Sequence, residues 1–180
     1  PVAQIVADTC EPSAGPGDGR PIRSGTEPDA LLPGPPGPCV NGRLGNLYLV
    51  SEEARIIKRL GGEDPSDLPV VTGVSWQRLV RDRPFKEGLL TSIVALMQDF
   101  RDAGLWRARP IQEIHVDEES RLSVYLGDDL TYIRLGFPPF NEKLRRLRKV
   151  FTRLERMHAE ARYVYLDNEV HPERVVLRLR

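Results

Sequence analysis

Apolar positions change period several times along this chain, and the changes mark its elements. Residues 44–50 (LGNLYLV) and 54–60 (ARIIKRL) read as two short strands. The polar triplet Ser51-Glu52-Glu53 turns between them, which makes a hairpin. A turn-rich stretch over 61–69 leads to Val70-Val71, a short strand closed by Gly73. Over 85–104 the period becomes helical: Leu89, Leu90, Ile93, Val94, Met97 and Phe100 fall on one face, and Gly104 ends the run. Three runs rich in β-branched and aromatic residues follow at 111–117, 121–126 and 130–135, with turns at 118–120 and 127–129. Within the middle run Leu122, Val124 and Leu126 alternate with Arg121, Ser123 and Tyr125, the pattern of a strand with one wet face. A second amphipathic helix spans 141–158, with Leu144, Leu147, Val150, Phe151 and Leu154 as its stripe and Asn141 as its N-cap. Two further strands, 162–167 and 174–179, flank a turn at Val170-His171-Pro172. Val2, Ile5 and Val6 supply one more strand end at the start. This order predicts an α+β fold: a largely antiparallel mixed sheet with two helices packed on one face.

Composition changes that picture in one place. Between Cys10 and Cys39, residues 11–38 hold eight prolines and six glycines, half of the stretch. Proline removes backbone donors and glycine adds chain entropy, so no helix or central strand is expected there. A cysteine at each end suggests a disulfide-stapled insertion over 9–43; two unrelated reduced cysteines are the alternative. In the chain-entropy picture, closing such a loop contributes about 3.5 kcal/mol, and it would place the chain in an oxidising compartment. Elsewhere 26 basic and 26 acidic residues cancel, which argues against a general nucleic-acid binder. No apolar run approaches the roughly 20 residues of a membrane span. The chain opens on Pro1, so a piece of a longer protein is expected.

Candidate chemistry is sparse. His115, His158 and His171 are scattered over a strand, a helix end and a turn, and no C-x-x-C pair exists, so neither metal nor cofactor is expected. No serine sits in a G-x-S-x-G elbow, and no phosphate-cradling glycine loop is present. An enzyme is therefore not expected. The rival reading is a polar groove for a cell-wall ligand or a reaction, lined by Glu113, His115 and Asp117 on one face of the 111–117 strand. Two further features stand out. The second helix opposes Lys143, Arg145, Arg146, Arg148, Lys149, Arg153 and Arg156 to only Glu142 and Glu155, which reads as a solvated face or as a surface for acidic lipid, an acidic partner or, least of the three because only Phe151 is aromatic, nucleic acid. The last strand, RVVLRL, would offer unpaired backbone groups to another chain if it lies at the sheet edge. On that reading a proline at Val176 should remove a ladder donor.

Several segments together resemble the FtsQ/DivIB family of bacterial divisome proteins. The stretch LYLVSEEARIIKRLGGEDPSDLPVVTG (47–73) is similar to the start of that family's β-domain. LGDDLTYIRLG (126–136) resembles its later hairpin, FNEKLRRLRKVFTRL (140–154) the helix that follows, and YVYLDN (163–168) its next strand. PVAQIVAD resembles the last strand of the POTRA domain that precedes the β-domain. The resemblance implies residues 1–8 as the end of a POTRA-like domain, 9–43 as an insertion the family usually lacks, and 44–180 as the β-domain. It implies a non-enzymatic scaffold on the periplasmic face of the bacterial inner membrane, held by a single membrane-spanning helix. Its partners would be coiled-coil proteins of the FtsB and FtsL type, with the C-terminal strand accepting a partner segment by strand addition. Tyr163, Tyr165, Asn168, Arg174, Val176 and Arg178 are the residues this assigns to partner binding. Tyr165 stands where the family usually has Asp, and Asp167 where it has Arg.

Overall fold

The computed structural model describes residues 3–8, 46–64, 67–168 and 170–180. Cys10, Cys39 and the Pro/Gly-rich insertion lie outside the described residues. Those described form nine strands and three helices: β1 (Ala3–Asp8), β2 (Asn46–Val50), β3 (Ile56–Arg59), β4 (Val70–Ser75), α1 (Trp76–Arg81), α2 (Arg83–Asp102), β5 (Ile111–Val116), β6 (Leu122–Leu126), β7 (Thr131–Gly136), α3 (Asn141–Arg156), β8 (Ala161–Tyr165) and β9 (Val176–Leu179). They build one sheet in the order β3-β2-β1-β4-β5-β6-β7-β8-β9. Five of its eight pairings are antiparallel; β1–β4, β4–β5 and β7–β8 are parallel. The Ala3–Asp8 segment, expected to end a preceding POTRA-like domain, here runs inside this same sheet between β2 and β4.

Two parallel connections decide where the helices go. β4 reaches β5 through α1 and α2, and β7 reaches β8 through α3. Both departing strands point the same way and both step in the same direction across the sheet. Right-handed crossovers therefore place both connections on one face. Beneath them one register row runs straight across the sheet: Ile5, Val71, Ile114, Val124, Ile133 and Val164. All six are fully buried. Leu90, Ile93, Met97 and Phe100 of α2, with Leu144, Leu147 and Phe151 of α3, close the same core.

The sequence reading needs four corrections. Three helices form, not two: the segment after β4 makes the single-face helix α1, whose one buried side chain, Leu79, is too weak a periodic signal to read. Asp82 then ends α1 and caps α2, accepting the Phe85 N–H at 2.9 Å, with Pro84 in the first turn; α2 thus starts at Arg83, ahead of the first periodic residue. Asn141 is the first residue of α3 and not its cap, and its carboxamide oxygen takes the Glu142 N–H at 2.7 Å. The last strand is shorter than 174–179, beginning at Val176.

Gly73 has a structural reason of its own. The β1–β4 register jumps between Ile5–Val71 and Ala7–Val74, so β4 carries an extra residue there. Gly73 absorbs it at φ +77°, and a Cβ at this position would lie 2.1 Å from the Val116 carbonyl oxygen.

Candidate functional site

The described helices leave one face and two edges of the sheet uncovered. On the open face, one row carries Thr72, His115, Ser123, Arg134, Tyr165 and Val176, and the next carries Glu113, Tyr125, Tyr132, Tyr163 and Arg178. Four tyrosines cluster there. Tyr132 is the hub, with ring centroids 5.2 Å from Tyr125, 6.0 Å from Tyr163 and 6.4 Å from Tyr165. Its hydroxyl shares a 2.9 Å hydrogen bond with Ser123. Burial first, then the neighbouring Glu113 carboxylate, pushes the Tyr125 phenol above its ordinary range. Arg162 lies over the Tyr163 ring at 5.3 Å. Tyr125, Tyr132, Tyr163 and Arg178 border a shallow depression of about 660 Å³ that opens toward β9.

β9 ends the sheet, and all four of its residues are exposed. Its backbone polarity follows from two hydrogen bonds. Leu166 donates its N–H to the Arg134 carbonyl on β7. Backbone groups alternate in direction along a strand, so those of Val164 also face β7, while those of Tyr163 and Tyr165 face β9. Their register partners Arg178 and Val176 must turn inward to meet them. Independently, Arg180 donates its N–H inward to the Glu160 carbonyl at 3.0 Å. Residues 176, 178 and 180 thus satisfy their backbone groups within the fold. Leu177, and beyond it Leu179, present theirs outward, on the side where the described residues supply no further strand. The proline test at Val176 is therefore misplaced: its N–H is an internal donor.

Side chains alternate in the same way. Val176 and Arg178 stand on the open face beside Tyr165 and Tyr163. Leu177 stands on the helix side opposite Val164, extending the buried row, yet is 37% exposed; Leu179 is 45% exposed. β9 is fixed at its end by Arg180, whose guanidinium donates to the Asp129 carbonyl oxygen and lies 3.8 Å from the Asp129 carboxylate. That carboxylate also accepts from Thr131 at 2.6 Å and pairs with Arg109 at 3.7 Å.

Of the six residues assigned to partner binding, Tyr163, Tyr165, Val176 and Arg178 come together on the open face next to the edge. Asn168 and Arg174 do not join them. Asn168 accepts the His171 N–H at 2.9 Å, and Arg174 donates its N–H to the His171 carbonyl at 3.0 Å, so both belong to the β8–β9 connection. Leu177 and Leu179 were missed. Their signal was legible: Val175, Leu177 and Leu179 alternate with Val176 and Arg178, which marks the leucines as the core-facing set.

The rival groove does not assemble as expected. Thr72 links Glu113 and His115, donating its hydroxyl to the Glu113 carboxylate at 2.5 Å and meeting His115 Nδ1 at 3.0 Å. A hydroxyl donates once, so the imidazole Nδ1–H donates to Thr72 in return. The hydrogen bonds of Asp117 go elsewhere. Its carboxylate accepts from the Arg121 N–H at 2.8 Å and pairs with the Arg121 guanidinium at 2.7 Å, inside the β5–β6 turn. Burial opposes ionisation of Asp117, but the Arg121 hydrogen bonds and charge outweigh it and hold the carboxyl below its ordinary range. Among the described residues no group of three or more His, Cys, Asp or Glu side chains is placed to hold a metal ion. No described helix is long and apolar enough to cross a membrane.

These features define an α+β domain with one helix-covered sheet face, whose most available chemistry is a strand edge that no described strand pairs, beside a tyrosine-lined surface. Comparison with known sequences supplies the family. The profile described as "Cell division protein FtsQ/DivIB, C-terminal" matches residues 39–168. The chain is 36% identical over 136 residues to the cell division protein FtsQ of Anaeromyxobacter sp. (strain K), covering 76% of this chain and 46% of that protein. It is 29% identical over 136 residues to FtsQ of Myxococcus fulvus, covering 76% and 47%, and 25% identical over 124 residues to FtsQ of Geotalea daltonii, covering 69% and 45%. The chain belongs to the FtsQ/DivIB family of cell division proteins. It spans slightly under half the length of these relatives.

Proposed function

We propose that this chain is a non-enzymatic divisome scaffold, which recruits a partner of the FtsB or FtsL type by adding that partner's extended segment to β9. One observation carries the reading: Leu177 and Leu179 turn their backbone N–H and C=O groups away from the sheet at its terminal strand, next to half-exposed leucine side chains. An incoming strand satisfies those groups, and each bond contributes about 1 kcal/mol net. Apolar residues at alternate positions of that strand cover Leu177 and Leu179 on the helix side. Its other positions meet Val176, Arg178 and the tyrosines on the open face, which sets partner choice. The hydrogen-bonding geometry sets the register.

The remaining context comes from the family resemblance. In this reading β1 and residues 44–180 together build the β-domain, β1 entering it from a preceding POTRA-like domain, and a membrane-spanning helix further upstream holds the protein at the periplasmic face of the inner membrane at the septum. Cys10 and Cys39 close the 9–43 insertion as a disulfide, which thiol titration with and without reductant checks.

The decisive experiment is a titration of the chain with the soluble periplasmic FtsB–FtsL segment of the same organism, followed by amide hydrogen exchange. Saturable binding with new protection at Leu177 and Leu179 is the expected result. Saturable binding that protects other segments and leaves β9 exchanging freely would overturn strand addition while keeping the scaffold. A folded chain that fails to bind would overturn both.

A further inference from the structure

α3 carries a row of positive charge that the fold does not use. At 100° per residue, Arg145, Lys149 and Arg156 fall within about 40° of one another, opposite the buried Leu144, Leu147, Phe151 and Leu154. Arg148 and Arg153 flank that row. All five are exposed. Arg148 reaches the Ala103 carbonyl oxygen at 3.5 Å, and no described carboxylate pairs with any of the five. Even Glu142 and Glu155, the only acids on the helix, stay out of ion pairs with them. Elsewhere Lys58, Arg83, Arg121 and Arg134 each hold a carboxylate within 2.8 Å; what sets α3 apart is five cations, unpaired by any described carboxylate, gathered on one outer helix face.

We infer that this outer face of α3 docks on an anionic lipid surface, with the phosphodiester headgroups as its counter-ions. Two observations select that occupant. The row is straight and about 16 Å long, so its charges can lie together on a flat, laterally mobile array of anions. It also contains no apolar or aromatic side chain: positions 145, 148, 149, 152, 153 and 156 are Arg, Arg, Lys, Thr, Arg and Arg. A protein partner that anchors by burying an aromatic or aliphatic side chain finds none on this face. A purely electrostatic contact is shallow and salt-sensitive, with no inserted segment. It lies on the helical layer and is independent of the β9 edge.

The test is flotation of the 180-residue chain with vesicles of phosphatidylglycerol and phosphatidylcholine, against vesicles of phosphatidylcholine alone, at about 0.05 and about 0.3 M salt. Binding is expected only to the anionic vesicles and only at the lower salt. The triple variant Arg145→Gln, Lys149→Gln, Arg156→Gln should bind about a hundredfold more weakly, since each charge near an anionic surface contributes roughly fivefold. Its thermal melt should be unchanged, because all three side chains are exposed and unpaired. The control Arg55→Gln, Arg59→Gln, two exposed arginines at the β3 end of the sheet that no described carboxylate pairs with, should bind vesicles like the parent chain. Absence of anionic-vesicle binding, or equal binding by the triple variant, overturns the inference. So does capture by poly-glutamate without vesicle binding, which would assign the face to an acidic protein.

Discussion

Leu177→Pro separates edge pairing from edge stability. The Leu177 N–H points out of the sheet, so proline there removes no hydrogen bond that the fold makes. The fixed φ of proline is also tolerated in an edge strand. Leu177 is already 37% exposed, so exchanging its side chain costs the fold only about 1 kcal/mol. A partner strand loses much more. It forfeits one donor, and its own carbonyl opposite position 177 is left unpaired between two chains, at about 1–3 kcal/mol. Partner affinity should therefore fall about five- to 150-fold. Val176→Pro supplies the contrast, since it removes an inward donor to β8 and should loosen β9 itself. Isothermal titration with the partner segment, paired with thermal melts, reads both effects. Leu177→Pro should keep its melting temperature within a few degrees and lose binding; Val176→Pro should lose both, with faster amide exchange at Arg178 and Arg180. A Leu177→Pro variant that titrates like the parent would refute the outward assignment of that N–H, and with it strand addition at β9.

Three other changes test the fold beneath the site. Ile133→Ala empties the centre of the fully buried row and should cost roughly 3–4 kcal/mol in urea unfolding. Gly73→Ala should destabilise by about 2 kcal/mol or more, because left-handed backbone and a 2.1 Å clash with the Val116 carbonyl oxygen add together; a melt equal to the parent's would show that the bulge relaxes freely. Asp117 has a lowered folded pKa, so its contribution is complete above the ordinary aspartate range and disappears as pH falls through the folded value. Urea melts at about pH 6 and about pH 3 should therefore differ less for Asp117→Asn than for the parent chain.

Periodicity exposed most of this architecture because most elements bury one clean face. The α2 and α3 stripes and the 122–126 alternation are of that kind. What stayed hidden was set by partners far away in sequence. The parallel pairings β1–β4 and β7–β8 join strands whose order no local pattern reveals. The short helix α1 buries only Leu79, so it leaves no period to detect. Asp117 lies just past the end of β5, and its capture by Arg121 is a turn contact that alternation along the strand does not reveal. At the site, sequence located the last strand and the tyrosines of β8. The direction of each backbone group required the β7–β8 register, and Tyr125 and Tyr132 joined the surface only through cross-strand pairing.

The two ends of the sheet explain why a partner would choose β9. Both edge strands are four residues long; β9 is exposed throughout, while β3 carries a partly buried Ile56 packed on the core and a 52% exposed Ile57 before its two charged residues. The same register row reaches each edge. From Ile5 it passes to Tyr48 and ends on Arg59 in β3; from Val164 it ends on Leu177 in β9. At the β3 end, then, the helix-side row closes on a charged residue. An incoming strand there must bring its apolar residues against a guanidinium, and Lys58, tied to Asp64 at 2.7 Å, flanks it. Inward-pointing charge at an edge is a common defence against unwanted pairing. At the β9 end the row closes on leucine, with a second leucine two residues on, so covering them continues the core outward at a gain of about 1 kcal/mol per side chain. The helix-side row thus ends on Arg59 at β3 and on Leu177 at β9, and that difference favours β9 for the strand addition proposed above.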